Sequence, residues 1–160
     1  MAQELSHFTT PAASRCFEDY VPGAVYEFGS VAIGEDEIVE FGKRYDPQYL
    51  HVDPQGAAAG PFGGLIASGW QTSALIMRLF VEHYLPGAAS LASPGIDELR
   101  WLKPVRPGDV LRVRITTLET RRSKSKADRG LVRSRVEAFN QRDELVASLV
   151  GTNFIACRAG

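Results

Sequence analysis

The chain has 160 residues, with 18 basic and 19 acidic side chains and a formal net charge of −1. This length fits one domain with a sizeable hydrophobic core, and the balanced charge gives no bulk attraction to nucleic acid or to an anionic membrane. Cys16 and Cys157 fit neither a disulfide framework nor a metal-binding spacing, and no apolar stretch is long enough to span a bilayer. The start, MAQELSHFTTPAASR, lacks the pattern of a secretory signal. We therefore expect a cytoplasmic protein with no metal, nucleic-acid or membrane partner.

The first part of the chain predicts an extension, a strand and a short helix. Residues 1–20 are rich in Thr, Ser and Ala without periodicity, so we expect an N-terminal extension before a single domain over residues 21–160. The segment VPGAVYEFGSVAI predicts a strand that follows a turn. The segment EDEIVEFGKRYD predicts an amphipathic helix that ends before Pro47. Asp46 is therefore expected at the end of that helix, and His51 in the loop that follows.

A long hydrophobic helix is predicted over SGWQTSALIMRLFVEHYLPG. Ser68 and Gln71 have the spacing of a capping box, and Pro86-Gly87 is a stop signal. Apolar residues occupy nearly every side of this helix, so other elements must cover it. Arg78 is an exception, and we expect it in an ion pair or at a subunit contact rather than in catalysis.

The last part of the chain predicts four consecutive strands. They are expected in IDELRWLKPV, DVLRVRITTLET, GLVRSRVEAFNQ and ELVASLVGTNFIAC, joined by short connections that favour antiparallel pairing. The predicted fold class is therefore α+β, with an antiparallel sheet wrapped around the long central helix. One sheet covers only one side of that helix, so we expect at least a homodimer.

A candidate catalytic group lies between Asp46 and Trp70. It contains Asp46, His51 and the capped helix start at Ser68-Gly69. Free N–H groups at a helix N-terminus stabilise negative charge. A carboxylate, an imidazole and such an amide suffice to add water across a double bond conjugated to a carbonyl. The residues thus indicate a candidate hydration site.

The same residues also have purely structural interpretations, and these stay open. Asp46 before Pro47 can shape a turn, His51 can be an ordinary polar residue, and Gly69 can simply begin a capped helix. The loop RRSKSKADR is either a solvated turn or a contact for a phosphorylated ligand. GPFGGL lacks the Lys-Ser/Thr of a nucleotide phosphate loop, so that alternative is not supported.

Two stretches, YDPQYLHVDPQGAAAGPFGGLIASGWQT and SPGIDELRWLKPVRPGDVL, resemble the MaoC-like dehydratases and (R)-specific enoyl-CoA hydratases. The resemblance implies the hot-dog fold, usually paired across a dimer. The family's hydratase motif, Gly-Asp-x-Asn-Pro-x-His, aligns without gaps on residues 45–51. It implies that Asp46 and His51 are catalytic and that the Gly69 N–H binds the thioester oxygen.

This chain departs from the family pattern around the expected site. Tyr45, Gln48 and Tyr49 replace the motif's glycine, asparagine and proline, and Ser68 stands where a histidine is common. Gln48 keeps an amide that can orient Asp46 or His51, whereas the bulkier Tyr49 is expected to narrow the site. We expect four residues to contact the substrate: Gln48, Tyr49, Ser68 and Trp70.

The resemblance implies reversible addition of water to a trans-2-enoyl-CoA, with coenzyme A as part of the substrate and no separate cofactor. Asp46 would be the main base, and His51 would orient the water and relay its proton. Thioester hydrolysis by Asp46 alone and a non-catalytic acyl-CoA-binding subunit remain as alternatives. The expected assembly is a homodimer or a dimer of dimers.

Overall fold

The computed structural model describes residues 4–160, which form a five-stranded antiparallel sheet packed against a helix. The strands are β1 (Val25–Ala32), β2 (Gly95–Trp101), β3 (Val110–Arg122), β4 (Arg129–Phe139) and β5 (Leu145–Ala156). Their order across the sheet is β1-β3-β4-β5-β2. All five predicted strands and the α+β class are confirmed.

Four α-helices lie between β1 and β2 in the chain. They are α1 (Glu35–Tyr45), α2 (Tyr49–Val52), α3 (Pro54–Ala59) and α4 (Gly69–Leu79). The chain continues from α4 through a π-helical turn, Phe80–Tyr84, so the predicted long helix is present with a wider last turn. Across residues 4–160, no helix is both long enough and apolar enough to cross a lipid bilayer.

The core lies between the inner face of the sheet and one side of α4. Side chains alternate along β3, so that Leu111, Val113 and Ile115 are buried while their neighbours are more exposed. Ile76 and Leu79 of α4 are also buried in this core. The sheet thus holds α4 in a fixed position, and with it the start of the helix, where the candidate site lies.

The opposite side of α4 is exposed in the single chain. Trp70 and Met77 of α4, and Val81 in the π-helical turn that continues it, have about half or more of their surface accessible, with values of 60%, 47% and 51%. The pattern had correctly indicated that one sheet covers only one side of this helix. Nothing in residues 4–160 covers the rest.

Part of the predicted N-terminal extension is packed on the domain. Phe17 and Tyr20 are buried in the core, and the Tyr20 hydroxyl donates to the carbonyl oxygen of Tyr84 at 2.7 Å. Arg15 is also buried, and it donates to the carbonyl oxygens of His83 and Tyr84 at 3.0 and 2.8 Å. This segment therefore caps the end of the central helix, while the proposed division at residue 20 stays a prediction.

Candidate active site

Asp46 directly follows Tyr45, the last residue of α1, and caps the end of that helix. Its backbone N–H still donates to the carbonyl oxygen of Gly42 at 2.9 Å, but its own backbone has left the helical conformation. Pro47 follows, and a proline disfavours helical geometry in the residue before it. The helix end therefore fixes the backbone of Asp46, and the carboxylate reaches the start of α4.

His51 lies in α2, not in the loop that the sequence had predicted. A four-residue helix is too short to produce a hydrophobic period, which explains the error. The side chain is buried, with its Nε2 atom 3.3 Å from Asp46 Oδ2 and its Nδ1 atom 2.7 Å from the carbonyl oxygen of Ile66. A carbonyl oxygen only accepts hydrogen bonds, so Nδ1 must carry the proton. In the neutral ring, Nε2 is therefore a free acceptor that faces the carboxylate.

Both carboxylate oxygens of Asp46 accept hydrogen bonds. Gln48 Nε2 donates to Oδ1 at 2.7 Å, and Ser68 Oγ donates to Oδ2 at 2.7 Å. These two bonds, first that from Gln48 and then that from Ser68, lower the pKa of Asp46 below its usual value, and they outweigh the opposing effect of burial. Asp46 is therefore an ionised acceptor at neutral pH.

Ser68 joins this carboxylate to the N-terminus of α4. Its Oγ atom accepts a hydrogen bond from the Trp70 N–H at 3.2 Å while it donates to Asp46, which confirms Ser68 as the helix cap. The reciprocal half of the expected capping box is wrong, because Gln71 Nε2 instead donates to the carbonyl oxygen of Glu37 at 3.0 Å. The amide of Gly69 lies in the first turn, where N–H groups lack partners within the helix.

A cavity of about 270 Å³ opens beside these groups. His51 and Gly69 line it together with the apolar side chains of Ile66, Val105 and Val146. The polar side chains in the lining are those of His51, Thr72 and Lys103, and the rest of the space next to the helix N-terminus is largely apolar. This arrangement suits a ligand with an apolar group and one polar group to be polarised.

Of the four residues expected to contact the substrate, two contact Asp46 and two lie away from the cavity. Ser68 is fully buried and Gln48 is exposed, and both contact Asp46 rather than the cavity. Tyr49 lies against Gly60, and neither Tyr49 nor Trp70 lines the cavity. The structure therefore brings Asp46, His51, Gln48, Ser68 and Gly69 together and leaves Tyr49 and Trp70 outside. The contact of these residues with a substrate stays a prediction.

Trp101 is a cavity residue that the sequence reasoning missed. Its ring packs on Gly69 so closely that a methyl group at residue 69 would overlap it. This contact gives Gly69 a steric reason to lack a side chain, in addition to its place at the helix start. The sequence carried only a weak signal, a tryptophan at the end of a predicted strand.

The basic loop lies far from this cavity within the chain. It joins β3 to β4 at the end of the sheet where Arg129 pairs with Ala156, whereas the cavity residue Val146 lies at the other end of β5. About nine residues of strand separate these ends, or roughly 30 Å. Arg122 and Arg129 pair there with Glu18 and Asp128 at 2.9 and 2.8 Å. These contacts favour the solvated-turn interpretation of the loop.

Arg78 forms the ion pair that was expected for it. Its Nε atom lies 2.8 Å from Glu82 Oε1, one turn further along the helix, and both side chains are well exposed. Within residues 4–160, no group of three His, Cys, Asp or Glu side chains is arranged to hold a metal ion. The expectation of no metal remains untested by this observation.

The fold and the site geometry together define a hot-dog protein of the MaoC type, and comparison with known proteins agrees. The family model "MaoC like domain" matches residues 18–138, so the chain belongs to this family. A MaoC-like dehydratase from Rhodospirillum rubrum is 36% identical, with a TM-score of 0.84 over 91% of this chain and 99% of that one.

Two further relatives have named activities. The R-hydratase PhaJ1 from Pseudomonas aeruginosa is 28% identical, with a TM-score of 0.72 over 90% of this chain and 86% of that one. The 3-hydroxyacyl-thioester dehydratase Z of Mycobacterium tuberculosis is 42% identical over 89 residues, which cover 54% of this chain and 58% of that protein. The family and these relatives support a hydratase or dehydratase activity.

Proposed function

We propose that this protein catalyses the reversible addition of water to a trans-2-enoyl-CoA, giving a 3-hydroxyacyl-CoA. The single observation that carries the proposal is the pairing of Asp46 with a buried His51 whose proton is fixed on Nδ1. Coenzyme A is part of the substrate, and no separate cofactor is needed. We propose that the enzyme works in the cytoplasm as a homodimer or a dimer of dimers, without nucleic-acid or membrane partners.

The tautomer of His51 gives the pair its chemistry. Nε2 and Asp46 Oδ2 lie 3.3 Å apart, and neither carries a proton when the ring is neutral and the carboxylate is ionised. Two adjacent acceptors are best satisfied by one water molecule that donates a proton to each. The pair is therefore suited to hold a water molecule with its oxygen directed at a substrate.

Hydration then proceeds in balanced steps. The water oxygen forms a bond to C3 of the enoyl group as Asp46, the main base, removes one of its protons, and the electrons of the double bond move toward the thioester oxygen. The Gly69 N–H, strengthened by the helix dipole, donates to that developing oxyanion. His51 relays the proton to C2, which restores the thioester. Dehydration is the same sequence in reverse.

An absorbance assay tests the proposal against its alternatives. Crotonyl-CoA should lose the ultraviolet absorbance of its conjugated double bond when the protein is added, without release of free thiol. Thiol release with the double bond retained would contradict hydration and favour thioester hydrolysis. Binding of acyl-CoA without either change, across a series of chain lengths, would show a binding subunit instead.

A further inference from the structure

A second cavity lies along α4, beyond the one that contains His51. It has a volume of about 140 Å³. Most of its lining is apolar, and its residues are Ser73, Ile76, Met77, Phe80, Ser93, Ile96, Val136, Leu149, Gly151 and Asn153. The two cavities share no lining residue. Both nevertheless lie between the same helix and the same edge of the sheet, so a short barrier separates them.

The Trp101 indole forms this barrier. Its ring packs on Gly69 in the first cavity, and its Nε1 atom donates to Ser73 Oγ, which lines the second cavity, at 3.1 Å. Ser73 Oγ in turn donates to the carbonyl oxygen of Gly69 at 3.0 Å. The indole thus spans one full turn of α4, from Gly69 to Ser73.

One face of α4 runs from the first cavity to the second, and the Trp101 indole lies across it. Gly69, Ser73 and Met77 are four residues apart, so they lie on one face of α4. A ligand whose polar end lies at the Gly69 amide, and whose apolar end runs along this face, meets the indole within one turn. It reaches Met77 only if the indole moves aside.

We propose that Trp101, held by its hydrogen bond to Ser73, limits the length of the acyl group that the site accepts. This inference rests on the proposed function for the position of the thioester. Short acyl groups fit the cavity beside His51, and longer ones need the space beyond the indole. Removal of the indole joins the two cavities and admits longer chains.

Binding of saturated acyl-CoAs tests this inference without requiring turnover. Butyryl-CoA and octanoyl-CoA are titrated by calorimetry into the wild-type protein, Trp101→Ala and Phe139→Ala. Phe139→Ala is the control for loss of a large aromatic ring, because Phe139 packs against Arg112 and Arg114 of β3 and lines neither cavity. Each methylene newly buried should strengthen binding by about fourfold, from a transfer free energy of about 0.8 kcal/mol.

In Trp101→Ala, we expect the ratio of octanoyl-CoA to butyryl-CoA affinity to rise at least about tenfold, while Phe139→Ala keeps the wild-type ratio. A Ser73→Ala variant, which frees the indole without removing it, should shift the ratio in the same direction by less. Equal ratios in Trp101→Ala and Phe139→Ala would overturn the inference, as would failure of every acyl-CoA to bind. A length limit without hydration would overturn the proposed function alone, and hydration without a length limit would overturn this inference alone.

Discussion

At the residue scale, the site depends on how Asp46 is held. Hydrogen bonds from Gln48 and Ser68 fix both carboxylate oxygens and lower the pKa of this group from its usual value of 3.8. A carboxylate with a lowered pKa in the folded state contributes stability above its unfolded pKa, and that contribution is lost as the pH falls through the folded value. Because the pKa of Asp46 lies below its usual value, its carboxylate stays ionised across the neutral range.

Replacement of Asp46 or His51 should abolish most turnover. We expect Asp46→Asn and His51→Ala each to reduce the rate of crotonyl-CoA hydration by about two to four orders of magnitude, the usual effect of losing a general acid or base. In the proposed mechanism both groups act on one water molecule, so the double variant should be scarcely slower than the slower single variant. Steady-state kinetics measure all three.

Two controls separate chemistry from folding in this experiment. Asp36→Asn removes an exposed carboxylate of α1, and His83→Ala removes an imidazole outside the cavity, so both should retain activity. His51 is buried, so His51→Ala also requires a circular dichroism check of its fold. Near-native rates in Asp46→Asn would refute its role as the base.

Ser68 should act as a positioning residue, with an effect visible in the pH profile. Ser68→Ala removes one hydrogen bond that lowers the pKa of Asp46, so the acid limb of the kcat/KM profile should move to higher pH. The variant also loses the hydrogen bond by which Ser68 caps the Trp70 N–H, which should lower the free energy of unfolding by about 0.5–2 kcal/mol. Rates measured from pH 3 upward, with urea denaturation, test both effects.

A second helix cap supplies the control for Ser68. Asp53 accepts from the Gly56 N–H at 3.0 Å at the start of α3, and no hydrogen bond joins it to Asp46 within residues 4–160. Asp53→Ala should therefore lose similar stability without displacing the acid limb. A Ser68→Ala profile that coincides with the wild-type profile would show that this serine only caps the helix.

The sequence predicted Asp46 and His51, and also the amide of Gln48 that orients Asp46, but not the rest of their surroundings. The alignment of Asp46 and His51 on a known motif was sufficient to nominate them. The bond from Ser68 joins residues 22 positions apart, and the contact of Trp101 with Gly69 joins residues 32 apart. Contacts of this kind depend on how elements pack, so local patterns could not indicate them.

At the element scale, the N-terminal segment stabilises the end of the central helix. The buried Arg15 guanidinium satisfies the carbonyl oxygens of His83 and Tyr84, and it lies 3.6 Å from the centre of the Phe8 ring. The last carbonyl groups of a helix have no partner within it, so burial requires such a donor. Residues before the predicted domain boundary therefore contribute to its stability.

We expect Arg15→Ala to lower the free energy of unfolding by about 1–3 kcal/mol, since it leaves buried carbonyl groups unsatisfied. Urea denaturation followed by circular dichroism measures the change. Arg78→Ala is the matched control, because its exposed pair with Glu82 should contribute less than about 0.5 kcal/mol. Equal losses in the two variants would contradict a capping role for Arg15.

Long elements were predicted well, and short ones were not. Alternation of apolar residues along β3, β4 and β5 identified these strands because one face of each is buried. Helices α2 and α3 span only four and six residues, too few to show a period. The sequence could not indicate the π-helical turn either, since its residues continue the same apolar pattern as α4.

At the scale of the whole molecule, exposed apolar residues concentrate on α4 and β2. Trp70 and Met77 on α4, and Ile96 and Trp101 on β2, are each about half exposed or more. Strand β2 is also an edge of the sheet, with one side unpaired within residues 4–160. Such an edge beside an apolar surface favours association with another chain.

We therefore expect the protein to form at least a dimer through α4 and β2. Light scattering at micromolar concentration should give at least twice the mass of one chain, and Ile96→Lys should lower that mass because it places a charge on this surface. Val21→Lys, at an equally exposed valine away from α4 and β2, should leave the mass unchanged. A wild-type protein with the mass of a single chain would contradict the prediction.

The central claim is that Asp46 and His51 add water to an enoyl thioester, and product mass tests it most directly. Crotonyl-CoA is incubated in water labelled with oxygen-18, with the wild-type protein or with Asp46→Asn. We predict that the wild-type product gains the mass of one labelled water while its thioester stays intact, and that Asp46→Asn yields almost none. A labelled free carboxylic acid, or no mass change with the wild-type protein, would contradict the claim.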